Sequence, residues 1–161
     1  MDGVRLRPAT EGDVPRLREL VIAGVEHWGH HIAHPEAVAQ LREHALPTAH
    51  TVETCPVVVL SLDGAVAGFY GLRLEDECVE LEYMFVDPAR IGCGLGRVLW
   101  EDAIETATAL RPRLRIMSDP CAEDFYAAMG ARLERRHEQV PGFFLSVMWC
   151  DLARPGTDER G

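Results

Sequence analysis

The sequence predicts a mixed α/β fold: a largely antiparallel sheet with helices on both faces and one β-α-β crossover. Three observations predict it. Apolar residues recur first at helical spacing and then, from Val57 onward, at strand spacing with turn residues between them. Hairpin signals lie on both sides of a single long amphipathic pattern. A glycine-rich loop joins an apolar strand to that amphipathic helix, and strands interleaved with helices in this way pack as layers.

Val4 to Arg7 alternates and predicts a short strand ended by Pro8. Thr10 and Asp13 are candidate N-caps and Pro15 suits a first helical turn. Val14, Leu17, Leu20, Val21 and Val25 then predict a helix reaching Trp28. Pro35 opens a second helix through Val38, Leu41 and Leu46, closed by Pro47. Val57 to Leu60 is β-branched and apolar, Asp63-Gly64 is a hairpin turn, and Val66 to Leu74 answers as the next strand. Glu75-Asp76 turns the chain into a third strand, Val79 to Val86, which Asp87-Pro88 ends. Val98, Leu99, Ala103, Ile104 and Ala107 mark the amphipathic helix, ending near Pro112. Leu114 to Met117 is a short strand, and Cys121 to Met129 a short helix stopped by Gly130. Leu133 to Val140 and Phe143 to Leu152 close the fold around Pro141-Gly142. The order is β-α-α-β-β-β-α-β-α-β-β.

The 161 residues fit one domain, assigned to 1–152, with a polar C-terminal tail at 153–161 expected to be flexible. With 47% hydrophobic and 26% charged residues, the chain is neither disordered nor fibrous. A formal net charge of -10 opposes phosphate backbones and anionic membranes, which excludes general nucleic-acid or membrane binding. Every basic residue is arginine; lysine and asparagine are both absent, as a GC-rich genome would produce. No apolar run approaches the roughly 20 residues that cross a bilayer, and the N-terminus lacks a signal-peptide pattern. Five scattered cysteines with no CxxC pair indicate neither a disulfide framework nor a zinc knuckle, so a cytoplasmic setting is expected.

The richest stretch is Val86-Asp87-Pro88-Ala89-Arg90-Ile91-Gly92-Cys93-Gly94-Leu95-Gly96-Arg97. Alternate glycines let a backbone approach a ligand closely, and the helix that follows adds its positive N-terminal dipole. Such a loop suits a pyrophosphate; a tight strand-to-helix turn is the plainer alternative. A dinucleotide fold needs G-x-G-x-x-G after the first strand of a parallel unit, and a P-loop needs a lysine, so neither nucleotide motif applies.

These residues resemble the cofactor loop of the GCN5-related N-acetyltransferases, the GNAT superfamily. Its signature, Gln/Arg-x-x-Gly-x-Gly/Ala after a strand ending Val-Asp-Pro, is similar to Val86-Asp87-Pro88 followed by Gly94-Leu95-Gly96. Downstream, Phe125-Tyr126-x-x-Met129-Gly130-Ala131 resembles the family's Phe-Tyr-x-x-x-Gly-Phe segment, and Ser118 to Tyr126 resembles a branch of small bacterial members. Two departures stand out. The family's Gln/Arg position falls on Ile91, one residue after Arg90, and its frequent Asn after the fifth strand falls on Asp119.

The resemblance implies an acetyl-CoA co-substrate, direct transfer to an amine, and no metal. Met84, Phe85 and Val86 would offer backbone groups to the pantetheine, including an N–H to the thioester carbonyl. Gly92, Cys93, Gly94, Leu95, Gly96 and Arg97 would hold the pyrophosphate, and Asp119 would accept a hydrogen bond from the pantetheine. Glu80 and Glu82 share one strand face, where family members place a catalytic carboxylate; Glu82 is favoured as the base, Glu80 is second, and solvated surface charge is the competing reading. Tyr126 matches the tyrosine that protonates the departing thiolate, against a plain packed aromatic. Cys93 and Cys121 raise a covalent route that the family does not need.

His27-Trp28-Gly29-His30-His31-Ile32-Ala33-His34 is dense in imidazole. In the resembled family this connection overhangs the acceptor pocket, so Trp28, His31 and Glu82 are the candidate acceptor-binding residues. A polar surface loop and a metal pair at His30 and His34 are the alternatives. The expected acceptor is a small, cationic primary amine; a protein or peptide amine, and a non-catalytic acyl-CoA-binding sensor, remain alternatives. Phe143-Phe144-Leu145 is the expected contact of a possible homodimer, on the ground that the closing strands leave an apolar edge.

Overall fold

The computed structural model describes residues 2–152; the tail expected at 153–161 lies outside the described residues. Seven strands, β1 (Val4–Pro8), β2 (Val57–Leu62), β3 (Ala65–Leu74), β4 (Val79–Val86), β5 (Arg113–Ser118), β6 (Arg132–Val140) and β7 (Phe143–Asp151), pair in the order β1-β2-β3-β4-β5-β7-β6. β1/β2, β2/β3, β5/β7 and β6/β7 are antiparallel, while β4/β5 is parallel. The architecture is thus the mixed, mostly antiparallel α/β sheet with one crossover that the sequence predicts.

The residues fall into two compact units interleaved along the chain, 2–71 with 83–99 and 72–82 with 100–152. In the first, helix α1 (Val14–His27) buries Leu17, Leu20, Val21 and Gly24, an i, i+3, i+4, i+7 stripe, as its periodicity predicts. That stripe joins Val57, Val59, Phe69 and Tyr83 in one core. Gly24 is required there: a Cβ would sit 2.8 Å from the Phe85 ring. Gly68 likewise admits β4, since a Cβ would lie 2.9 Å from the Phe85 carbonyl oxygen. The Asp63-Gly64 turn takes positive φ at both residues (51° and 88°), the pairing that a type I′ hairpin demands.

Between α1 and β2 the chain departs from the single helix expected at 35–47. It forms three short helices, α2 (His30–Ala33), α3 (Pro35–Gln40) and α4 (Ala49–Thr54), with a π-helical turn at Leu41–Ala45 after α3. Gly29, at φ +77°, ends α1 and lets α2 start at once. Pro47 does stop the helical run, but Thr48 immediately starts another. The Thr51 amide donates to Thr48 Oγ1 at 3.3 Å and the Thr48 amide to Thr51 Oγ1 at 3.1 Å, a reciprocal cap.

In the second unit, Leu72, Val79, Leu81, Trp100, Ala103, Ala107, Leu114, Ile116, Val147 and Met148 are buried. Helix α5 (Leu95–Thr108) connects β4 to β5, and helix α6 (Glu123–Ala128) follows β5. The parallel ladder pairs Val79, Glu80 and Leu81 with Leu114, Arg115 and Ile116. One expectation is corrected here. β7 is no edge, because β5 and β6 flank it, so Phe143–Leu145 is not an open apolar strand awaiting cover. The terminal strand beside it is β6, whose sequence RLERRHEQV is charged and exposed along nearly its whole length, a composition that discourages edge-to-edge pairing.

Candidate active site

The two strands of the crossover end in the same way. Asp87-Pro88 and Asp119-Pro120 each open a 3-10 turn, with Asp87 accepting from the Ala89 amide at 3.0 Å and Asp119 from the Cys121 amide at 2.7 Å. Proline fixes φ for the first turn, and the aspartate satisfies an amide that would otherwise lack a partner. Asp87 is also held by the Arg16 guanidinium at 2.9 Å, and its amide donates to the Ala67 carbonyl at 2.8 Å. This anchors the glycine loop at its entry.

Within the loop, Gly92 and Gly94 adopt φ of +92° and +84°, a region that a side chain disfavours. Ile91, Gly92, Cys93, Gly94 and Arg97 are exposed, and the Leu95 side chain is buried under the helix start. The Cys93 amide donates to the Arg90 carbonyl and the Val98 amide to the Gly94 carbonyl. Among the described residues no main-chain carbonyl takes the amides of Gly94–Arg97, which are therefore available to an anion. Met84, Phe85 and Val86 are half-buried. The Phe85 ring stacks on Phe69 at 6.0 Å between centroids.

Glu80 and Glu82, expected to share a face, are joined by an arginine that the sequence reading did not single out. Arg73 sits near the end of β3 and divides its donors among three carboxylates: Nε to Glu75 at 2.8 Å, Nη2 to Glu80 at 2.9 Å and Nη1 to Glu82 at 3.1 Å. Arg115 on β5 binds the other Glu80 oxygen through Nε at 2.9 Å and through Nη2. Glu80 is only 6% exposed, with both oxygens occupied. Glu82 keeps one oxygen outside this network. Three carboxylates against two guanidiniums leave the cluster with one negative charge. Burial is the largest influence on Glu82 and raises its carboxyl above the usual value, while the charge of Arg73 opposes that rise. A signal for Arg73 was present in the sequence: it is a lone cation in the otherwise apolar run from Ala65 to Leu74.

Tyr126 projects from α6 and is buried against Trp100 (5.7 Å between centroids) and Phe125 (5.2 Å). Burial, then the charge of Asp119, pushes its phenol well above the ordinary range. The hydroxyl therefore stays protonated, able to donate, and no hydrogen bond within the described residues engages it. Trp28 follows α1, is 46% exposed and meets His27 edge-on at 4.8 Å, while His31 is exposed on α2.

A family model described as the acetyltransferase (GNAT) family matches residues 22–131. No curated protein matches the chain in sequence. Solved structures with a similar fold include a GCN5-related N-acetyltransferase from Rhodopseudomonas palustris, at 20% identity and TM-score 0.79, covering 94% of this chain and 98% of that one. The PaiA N-acetyltransferase of Thermoplasma acidophilum, solved in complex with coenzyme A, has 15% identity and TM-score 0.77, with 92% and 98% covered. The ribosomal-protein-S18-alanine N-acetyltransferase of Escherichia coli has 17% identity and TM-score 0.66, with 98% and 99% covered. At these identities the likeness is one of fold. Among the described residues no helix is long and apolar enough to cross a membrane.

Proposed function

This chain belongs to the GNAT acetyltransferase family of acyl-CoA-dependent N-acetyltransferases, and we propose that it moves the acetyl group of acetyl-CoA directly onto a primary amine of a small, cationic molecule. One observation carries the choice of acceptor and base: a half-buried Glu82 with an open oxygen, inside a cluster that retains net negative charge. A cationic amine is drawn to that charge, and a carboxylate of raised basicity takes a proton more readily than a solvated one.

The glycine loop fits a pyrophosphate, because among the described residues no main-chain carbonyl takes the amides of Gly94–Arg97, and Arg97 is exposed. Gly92 to Arg97 hold that group in this reading, and main-chain groups of Met84 to Val86 hold the pantetheine. Asp119 is engaged with the Cys121 amide, so it serves the pantetheine only beside that bond. Acetyl-CoA supplies an activated thioester carbonyl. Glu82 takes the proton that an ammonium group must lose before its nitrogen becomes a nucleophile. The amine nitrogen bonds to the carbonyl carbon, the C–S bond breaks with the Tyr126 hydroxyl hydrogen-bonded to the sulfur that leaves, and the proton the nitrogen sheds on becoming an amide ends on that sulfur as the thiol. Trp28 and His31 line the acceptor side. Five free cysteines support a cytoplasmic setting.

A protein amine is the second reading, favoured by the fold shared with the ribosomal-protein enzyme. The test is thiol release from acetyl-CoA with a panel of polyamines, aminoglycosides, amino-acid amides and N-terminal peptides. Glu82→Gln is expected to lower the rate about 10²-fold or more while coenzyme A still binds. Release with peptides alone selects the second reading, and tight coenzyme A binding without release from any amine points to a sensor.

A further inference from the structure

We infer that Arg73 is a positioning residue that orients Glu82 and keeps it ionised, by bridging it to two carboxylates that hold the guanidinium in place. This rests on Glu82 being the base proposed above. The geometry is specific. A guanidinium presents its donors in a rigid planar fork, and here each of three nitrogens meets a different glutamate, at 2.8, 2.9 and 3.1 Å. Glu75 and Glu80 fix two arms of the fork, so the third arm has one place to go. It meets Glu82 Oε2, so the fork engages one oxygen of that carboxylate. Glu80 in turn cannot swing away, because Arg115 holds its other oxygen from β5.

The charged groups facing Glu82 are Arg73 from β3, Glu75 from the turn, Glu80 from β4, and Arg115 acting through Glu80. Burial and the two neighbouring carboxylates all favour a protonated Glu82, which cannot accept the amine's proton. Arg73 is the cation that opposes them at contact distance. It therefore works through Glu82 and touches no reacting atom. Arg73 is the penultimate residue of β3 and the one charged residue in that strand.

The test is an NMR titration of side-chain-carboxyl-labelled glutamate in the protein without ligand, the Glu82 resonance being the one lost in Glu82→Gln. In Arg73→Gln the Glu82 midpoint is expected to rise by about one pH unit or more, a tenfold gain in proton affinity. In Arg73→Lys, which keeps the charge but not the fork, the rise is expected to be smaller. A midpoint that does not move in a folded Arg73→Gln overturns the inference. Where that variant fails to fold, an unmoved midpoint in Arg73→Lys together with an unmoved Oε1 environment overturns it. Failure of the base reading itself is seen separately: the acid limb of the thiol-release rate then survives in Glu82→Gln. If that limb is lost there, it is expected to move with the Glu82 midpoint in Arg73→Gln.

Discussion

Arg115 on β5 stands directly opposite Glu80 on β4 in the parallel ladder, and its Nε binds the Oε1 of that glutamate at 2.9 Å. With Arg73 on the second oxygen, both oxygens of Glu80 are engaged, whereas this cluster engages one oxygen of Glu82. Glu80→Gln leaves two guanidiniums facing each other with one fewer counter-charge. Both arginines are partly exposed, which screens the cost, so a loss of about 1–3 kcal/mol is expected. Urea denaturation checks it, and an unchanged midpoint would show the pairing to be incidental.

Tyr126→Phe removes one hydroxyl from a side chain held by Trp100 and Phe125. Stability is expected to change by less than about 1 kcal/mol, since no internal hydrogen bond is lost. The turnover number for thiol release should fall about 10²-fold, with coenzyme A affinity by calorimetry within about threefold of the parent. An unaltered turnover number takes Tyr126 out of the mechanism.

Gly94→Ala places a Cβ on a residue at φ +84°. Gly64→Ala does the same at φ +88° in the β2–β3 hairpin. Each is expected to cost about 1 kcal/mol of folding stability. If the loop holds the pyrophosphate as proposed, only the first should weaken coenzyme A binding, by about tenfold or more. Equal affinities in the two variants would count against the loop as an anion cradle.

Asp13 accepts both arms of Arg7, at 2.8 and 2.9 Å, and the Thr10 amide at 2.8 Å. The hydrogen bond from Arg7 is the largest reason its carboxyl is held down to about 2, against 3.8 for the free group. A carboxyl lowered on folding stabilises the fold fully above its unfolded value and ceases to do so as pH falls through the folded one. Asp13→Asn is thus expected to cost about 1–2 kcal/mol at pH 7, and progressively less below roughly pH 4. Chemical denaturation at several pH values reads the difference; a constant gap across that window would contradict the assignment.

The sequence was most readable where local pattern and tertiary role coincide. The α1 stripe, the Asp63-Gly64 turn and the glycine loop each announce themselves through spacing or backbone demand. α4 was hidden because Pro47 looks like an end, whereas a threonine pair supplies a cap outside the usual Ser/Thr…Glu/Gln form. The place of β7 was not readable from its own residues, since an apolar strand looks the same at an edge as inside. Its neighbour was the better guide, because the charged run from Arg132 to Glu138 belongs at an edge. Of the site, Glu82 and Tyr126 came from motif position. The bonds of Glu80 to Arg73 and Arg115 depend on strand register, which hydropathy does not encode.

The fork at Arg73 has a chemical corollary. A lysine in that position would carry a primary amine, able to lose its proton and to accept an acyl group. A guanidinium does neither under the conditions in which such a donor operates. In a chain with no lysine anywhere, the cation beside Glu82 is thereby inert toward the chemistry proposed next to it, and its charge stays constant from one turnover to the next.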